Sequence, residues 1–145
     1  MIIEVKNETE TKALGEKLGT VLKGGEVLQL VGDVGAGKTT FVKGLARGLS
    51  IDEDVQSPSF TISRVYDARD ELQLVHYDFY RLQDPGIMAT ELAETVSDTH
   101  TVTVIEWADS VAAILPPNHL TLSFVPSSEA TRTITIPDTL MELIV

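Results

Sequence analysis

The sequence contains no cysteine. This absence excludes disulfide bonds, cysteine-based zinc sites and thiolate chemistry, and it fits a reducing compartment. No apolar run approaches the roughly 18 residues that a membrane-spanning helix needs. Residues 1–6 also lack the charged and apolar blocks of a signal peptide. We therefore expect a cytoplasmic protein without membrane contact.

Positive charge is scarce: 11 lysines and arginines stand against 22 acidic residues, for a formal net charge of −11. Nucleic acids and anionic membrane surfaces attract basic protein surfaces. The composition therefore argues against an autonomous nucleic-acid-binding module and against binding to an anionic membrane surface. Any connection with RNA is expected to run through a partner protein.

A glycine-rich stretch at 32–39, G-D-V-G-A-G-K-T, fits the phosphate-loop pattern G-x-x-x-x-G-K-[ST]. Residues 26–31 before it indicate a buried strand, and the apolar spacing after it indicates a helix. Glycines let the backbone curl around phosphate oxygens, and the helix start adds N–H groups that lack intrahelical partners. Lys38 is expected to bind phosphate and Thr39 to ligate Mg²⁺. The residues expected to line the nucleotide phosphates are Gly35, Ala36, Gly37, Lys38, Thr39 and Thr40.

The chain is long enough for one domain and too short for two. We predict a single phosphate-loop ATPase domain over residues 1–145. Strands are expected at 2–5, 26–31, 60–66, 72–77, 101–105, 120–125 and 131–136, and helices after Asn7, after the loop, at 87–97 and at 110–115. This order predicts an α/β fold of the P-loop NTPase-like, three-layer kind. Its central sheet is expected to be largely parallel, with antiparallel edge strands.

Two acids stand at the carboxyl ends of expected strands, where ligands gather in open α/β sheets. Glu106 follows an apolar strand and is expected to be a Mg²⁺ ligand, direct or through water; the alternative is a carboxylate that faces solvent. Asp78 is expected to orient the attacking water or to support the metal site, with the same alternative. We predict Lys38, Asp78 and Glu106 as the catalytic residues, and their spacing does not divide the roles of the two acids.

Other residues leave two interpretations open. The hydroxyls of Ser59 and Thr61 could contact the γ-phosphate and Mg²⁺ in a switch segment, or they could belong to an ordinary Ser-Pro turn. Trp107 could contact nucleotide or partner, or pack in the core. The three histidines show no metal-ligand spacing and are interpreted as structural. No N-K-x-D segment, typical of guanine-specific enzymes, is present, which favours ATP.

Four motifs in this order resemble the bacterial TsaE (YjeE) family, the ATP-binding subunit of the machinery that makes threonylcarbamoyladenosine in tRNA. They are the phosphate loop, Q-S-P-S-F-T at 56–61, H-Y-D-F-Y-R-L at 76–82 and V-I-E-W at 104–107. Ser59 stands where threonine is common in the family, and residues 87–97 follow the family only loosely. The resemblance implies association with TsaD, which transfers the threonylcarbamoyl group, and with TsaB, its scaffold.

The resemblance also implies roles for individual residues. Thr39 and Glu106 would hold Mg²⁺, and Asp78 and Trp107 would matter for ATPase activity. Further positions near the bound nucleotide and in the switch-like segment would be Thr11, Arg132, Ser59 and Thr61. From the residues alone, Thr11 and Arg132 are expected at the surface.

The leading hypothesis is a Mg²⁺-dependent ATPase that acts on a TsaB–TsaD-like assembly. A small-molecule kinase is the alternative with the same loop, although no basic lid segment is evident in the sequence. A nucleotide-sensing module without useful catalysis is a third class.

Overall fold

The computed structural model describes residues 1–33, 35–56, 63–80, 84 and 86–144. The strands are β1 (Ile2–Val5), β2 (Val27–Val31), β3 (Ser63–Asp67), β4 (Gln73–Asp78), β5 (Thr101–Glu106), β6 (Leu120–Pro126) and β7 (Arg132–Thr135). The α-helices are α1 (Glu8–Val21), α2 (Lys38–Gly48), α3 (Ile87–Thr95) and α4 (Asp138–Met141), and two 3₁₀ turns cover Arg69–Glu71 and Ala108–Ile114.

The seven strands form one sheet in the order β1-β7-β6-β2-β5-β4-β3. In its middle, β4 and β5 run parallel. Two backbone hydrogen bonds join the chain entering β2 to β5: the Gly25 N–H donates to the Thr101 carbonyl oxygen, and the Thr103 N–H donates to the Glu26 carbonyl oxygen. Residue numbers rise together on both sides of that contact, so β2 and β5 are parallel as well. The outer pairs β1–β7, β6–β7 and β3–β4 are antiparallel. The predicted α/β fold with a parallel centre and antiparallel edges is confirmed.

Local details differ from the sequence-based expectations in three places. The expected helix at 110–115 is a 3₁₀ turn that already begins at Ala108, and α3 ends at Thr95 rather than near residue 97. The short helix α4 has too few residues for a periodic pattern and was not expected. The described helices include none long and apolar enough to cross a membrane.

The chain forms two compact units. The first contains Met1–Leu22, Leu30–Gln56 and Thr121–Val145, and the second contains Lys23–Gln29 and Ser57–Leu120. The expectation of a single domain stays a prediction.

In the first unit, α1 begins with a side-chain cap. The Asn7 carboxamide oxygen accepts from the Glu10 N–H at 2.9 Å, and the Glu10 carboxylate accepts from the Lys6 N–H at 3.1 Å. This arrangement resembles a capping box, except that the Glu10 carboxylate accepts from the N–H of Lys6 instead of the N–H of the N-cap residue Asn7. It fixes the first turn of α1, which also contains Thr11.

Helices α1 and α2 touch through their backbones along a glycine seam formed by Gly15 and Gly19 of α1 and Gly44 and Gly48 of α2. A Cβ added at Gly44 would lie 2.0 Å from the Lys12 carbonyl oxygen, and a Cβ at Gly19 would lie 2.3 Å from a carbonyl oxygen of α2. Real Cβ atoms do not approach oxygen so closely, so no side chain fits at these positions. Lys12 meets Gly44 and, one turn later in both helices, residue 16 meets Gly48, so the two helices run in the same direction.

In the second unit, one face of β4 and β5 carries the core. Val75 and Tyr77 of β4 and Ile105 of β5 pack with Leu92 of α3 and with the 3₁₀ turn Ala108–Ile114. Because side chains alternate along a strand, residues 76, 78, 104 and 106 lie on the opposite face. The polar ends of β4 and β5 are therefore separated from this core by the sheet itself.

Tyr77 connects the core to α3 through its hydroxyl. The hydroxyl oxygen lies 2.8 Å from the Thr95 Oγ1 and donates to the Glu91 carboxylate at 3.4 Å. Burial raises the pKa of Tyr77 to about 12, partly offset by the hydrogen bond with Thr95 and reinforced by the negative charge of Glu91. The folded protein therefore holds this proton more tightly than the unfolded chain, whose tyrosine has a pKa of 10.0.

We expect the free energy of unfolding to fall as the pH rises from about 10 to about 12, by at most about 1.4 kcal/mol per pH unit from this group. The contribution is complete below pH 10 and is lost as the pH passes 12. Chemical unfolding at a series of alkaline pH values measures it. Tyr77→Phe should flatten this loss and Tyr80→Phe, a substitution at an exposed tyrosine, should not. Identical alkaline profiles for the two variants would contradict the assignment.

Candidate functional site

The phosphate loop (residues 32–39, of which all but residue 34 are described) has the backbone shape that its glycines allow. Gly35 and Gly37 have φ of 83° and 101°, in the left-handed region that favours glycine. At Gly32 glycine is required for a steric reason, because a Cβ there would lie 2.6 Å from the Phe124 carbonyl oxygen. The loop turns sharply and leads directly into α2.

Helix α2 begins at Lys38, and no side chain caps its first turn, since the N-cap residue is Gly37. The first N–H groups of a helix have no carbonyl partner within the helix, and the helix dipole adds positive potential at that end. A loop of glycines that leads into such a helix start suits phosphate oxygens.

Lys38 supplies the positive charge of this loop. Its side chain is 5% exposed, and its ammonium group donates a hydrogen bond to the Gly32 carbonyl oxygen. The side chain therefore folds back over the loop rather than extending into solvent. Thr39 and Thr40 follow it in the first turn of α2, and both are half-buried.

Thr11 and Arg132, expected at the surface from the residues alone, both lie beside Gly37. A Cβ added at Gly37 would meet the Arg132 Cγ at 3.8 Å and the Thr11 Cγ2 at 3.9 Å. Thr11 is 2% exposed, and its hydroxyl donates to the Asn7 carbonyl oxygen at 3.2 Å. The surface expectation for Thr11 is therefore wrong: the residue is buried between the start of α1 and the loop.

Arg132 is half-buried and holds the loop from the β6–β7 hairpin. One guanidinium nitrogen donates to the Gly35 carbonyl oxygen at 3.1 Å, and another donates to carbonyl oxygens of Ser128, Glu129 and Thr131. The guanidinium group thus connects the turn of the hairpin to the phosphate loop. Arg132 and Gly35 are 97 residues apart in sequence, so no local pattern indicates this contact.

The carboxylate pair, Asp78 and Glu106, lies in the second unit. The two residues are Cα partners in the parallel ladder of β4 and β5, so both side chains emerge on one face at the carboxyl end of the strands. Both are buried, at 7% and 4% exposure. The alternative of carboxylates that face solvent is therefore not what the structure has. The Asp78 carboxylate also accepts from the Tyr80 N–H at 2.9 Å.

His76 contacts this pair directly. Its Nε2 lies 2.7 Å from the Glu106 Oε2, and the imidazole ring is 0% exposed. His76 precedes Asp78 by two residues on β4, so the three side chains share one face of the sheet.

Trp107 follows Glu106 in a left-handed backbone conformation, with φ 56° and ψ 53°. This region is uncommon for a bulky residue and is often found at functional sites. The half-buried indole ring packs against Tyr80, with 4.7 Å between ring centroids and an angle of 46° between the planes. Trp107 is not among the residues of the apolar core of the second unit.

Two groups of the expected site residues result, and each lies within one unit. The first unit brings together the phosphate loop, Thr11 and Arg132, and the second brings together Asp78, Glu106 and Trp107. Ser59 and Thr61 lie outside the described residues. No cluster of three or more metal-binding side chains occurs in the part of the chain that the structure describes. The neighbouring carboxylates Asp78 and Glu106 are chemically suited to Mg²⁺, because this ion is usually held by one or two carboxylates together with phosphates and water.

Comparison with known proteins gives a consistent result. The family model for the threonylcarbamoyl adenosine biosynthesis protein TsaE matches residues 5–134. The chain belongs to the TsaE family. The tRNA threonylcarbamoyladenosine biosynthesis protein TsaE of Treponema pallidum is 40% identical over 132 residues, which cover 90% of this chain and 96% of that protein. The protein of the same name from Bacillus subtilis is 38% identical over 130 residues, covering 89% of this chain and 80% of that one.

A solved structure shares the fold. The crystal structure of YdiB from Bacillus subtilis matches with a TM-score of 0.77 and 32% identity, over 99% of this chain and 90% of the other. The recognition of the TsaE family from four sequence motifs is therefore confirmed.

His76, interpreted as structural from the sequence, contacts one of the predicted catalytic carboxylates in this TsaE-family chain. His76 stands two residues before Asp78 in an expected strand, and this spacing alone places both side chains on one face. That signal was available in the sequence. Its contact with Glu106, thirty residues away, depends on the pairing of β4 with β5.

Proposed function

We propose that this chain is a Mg²⁺-dependent ATPase with slow turnover that acts in making threonylcarbamoyladenosine in tRNA. It would act in the cytoplasm through nucleotide-dependent association with TsaD and TsaB. The observation that carries the proposal is the phosphate loop, in which two glycines of positive φ lead into the uncapped start of α2 and a buried lysine lies across the turn. The names of the relatives supply the pathway.

Each group of residues has a proposed task. The N–H groups of the loop and the ammonium of Lys38 would bind the phosphates, and Arg132 would hold the loop in shape through the Gly35 carbonyl. Thr39 and Glu106 are the proposed Mg²⁺ ligands, and the ion, when bound, neutralises negative charge on the phosphates. Asp78 would orient the attacking water. Trp107 is a proposed contact for nucleotide or partner.

The acidic composition supports the proposal that partner proteins, and not this chain, contact the tRNA. A chain of net charge −11 repels the phosphate backbone of tRNA, so the proposed partners would make the RNA contacts. The phosphate loop itself carries no arginine. A missing arginine finger costs roughly 10³–10⁵ in phosphoryl-transfer rate, so we expect slow turnover of the isolated protein.

We expect hydrolysis of ATP by the isolated chain to be slow and to accelerate at least tenfold, as an order of magnitude, when TsaB and TsaD are added. Phosphate release with and without the two proteins measures this. A pull-down with ATP, ADP or no nucleotide should show retention that depends on the nucleotide. Equal rates with and without partners, together with pull-downs that ignore the nucleotide, would refute the proposal. Transfer of phosphate to a small acceptor rather than to water would identify a kinase instead.

A further inference from the structure

His76 forms a buried polar pair with Glu106, and the proposed catalytic roles give His76 no part. The imidazole ring is 0% exposed and the Glu106 side chain 5% exposed, and 2.7 Å separate Nε2 from Oε2. Such groups are costly to bury unless they satisfy each other. The other ring nitrogen, Nδ1, is buried and has no hydrogen-bond partner among the residues that the structure describes. The contact with Glu106 is therefore the only described polar contact of this ring.

The proposed role of Glu106 sets the direction of the hydrogen bond. As a Mg²⁺ ligand Glu106 would be an ionised carboxylate, which can only accept, and the ring would then carry a proton on Nε2. This hydrogen bond, between Nε2 and Oε2, then holds the Glu106 carboxylate in one orientation. The orientation of Glu106 is thus determined by a side chain of the neighbouring strand.

We propose that His76 is a positioning residue, which orients the Glu106 carboxylate to receive Mg²⁺. The inference rests on the proposed function, since it concerns the ion that Glu106 would bind with the nucleotide. Carboxylates that hold metals are themselves hydrogen-bonded, and loss of such a partner typically lowers metal affinity about 10–100-fold. His76 would act only through Glu106 and would not touch the nucleotide.

Three substitutions separate this role from simple packing. His76→Gln can place an amide N–H near the position of Nε2. His76→Asn carries the same amide, but its nitrogen reaches only the position of Nδ1, and His76→Leu fills the space without a donor. The chain has a single tryptophan, Trp107, directly after Glu106, so its fluorescence reports on this position.

The experiment titrates Mg²⁺ into each protein in the presence of a non-hydrolysable ATP analogue and records Trp107 fluorescence. His76→Gln should retain the wild-type half-saturation concentration to within about threefold, and His76→Asn and His76→Leu should raise it about 10–100-fold. Binding of the analogue without Mg²⁺ should be unchanged in all three. Thermal unfolding verifies that each variant is folded. If His76→Leu does not fold, the comparison of His76→Gln with His76→Asn decides the question by itself.

A second readout needs no variant and no nucleotide. The ring-nitrogen NMR spectrum of the wild-type protein should show a proton on Nε2 of His76, and a bare Nε2 would overturn the inference. Equal Mg²⁺ half-saturation in the wild-type, Gln and Asn proteins would overturn it while leaving the proposed function intact. A wild-type protein that binds no Mg²⁺–nucleotide would overturn both.

Discussion

Lys38→Ala should lower the affinity for ATP by at least about 100-fold and abolish turnover. The ammonium group is buried in the phosphate loop and already bonded to the Gly32 carbonyl. Hydrogen bonds to charged groups are worth about 1.5–3 kcal/mol each, and a lysine that binds two phosphate groups makes at least two. Since about 1.4 kcal/mol corresponds to a tenfold change, their loss removes at least two orders of magnitude. Isothermal titration with ATP and Mg²⁺ measures the effect.

The matched control is Lys43→Ala, because Lys43 is exposed in the same helix. It removes the same charge from α2 and should change ATP affinity less than about twofold, as expected for a screened surface charge. If Lys38→Ala and Lys43→Ala bound ATP equally well, the loop would not be the phosphate site. Unfolding curves of both variants show whether a loss of binding reflects a loss of structure.

Gly44→Ala should destabilise the protein by about 3 kcal/mol, a decrease in Tm of roughly 10 °C. In an isolated helix the same change stabilises by about 1 kcal/mol. Here the new methyl group would lie 2.0 Å from the Lys12 carbonyl oxygen, and a backbone atom cannot move aside as a flexible side chain can. The two helices must separate along the glycine seam, and the contacts of Gly15 and Gly48 are weakened with it. Differential scanning calorimetry measures the change.

Lys43→Ala again serves as the control, since it adds helix propensity at an exposed neighbouring position and should change stability by less than about 0.5 kcal/mol. A Gly44→Ala variant as stable as the wild type would show that α1 and α2 do not touch through their backbones.

Much of the fold could be predicted from local patterns. The glycine loop, the strand before it and the apolar periodicity after it are consecutive in sequence, so their geometry depends on short-range chemistry. The same holds for the helix after Asn7 and for the position of Glu106 at the end of an apolar strand. These features appear in the structure as expected because each has its signal in a short stretch of sequence.

The remaining features depend on contacts between distant segments. Thr11 gives no sign in sequence that it is buried beside Gly37, and Arg132 gives none that it reaches Gly35. The hydrogen bond between His76 and Glu106 requires the parallel pairing of β4 with β5, which no local pattern specifies. The two G-x-x-x-G spacings at 15–19 and 44–48 were visible, but only the packing of α1 on α2 shows that they face each other.

Contact between the backbones of α1 and α2 also determines how motion can pass through the first unit. Interdigitated side chains can change rotamer and let two helices slide, whereas backbones in direct contact have no such adjustable layer. We therefore expect the two helices to move as one rigid unit with the phosphate loop, which joins α2 at Lys38. A shift of the loop would then also displace the far ends of both helices, at Val21 and Gly48.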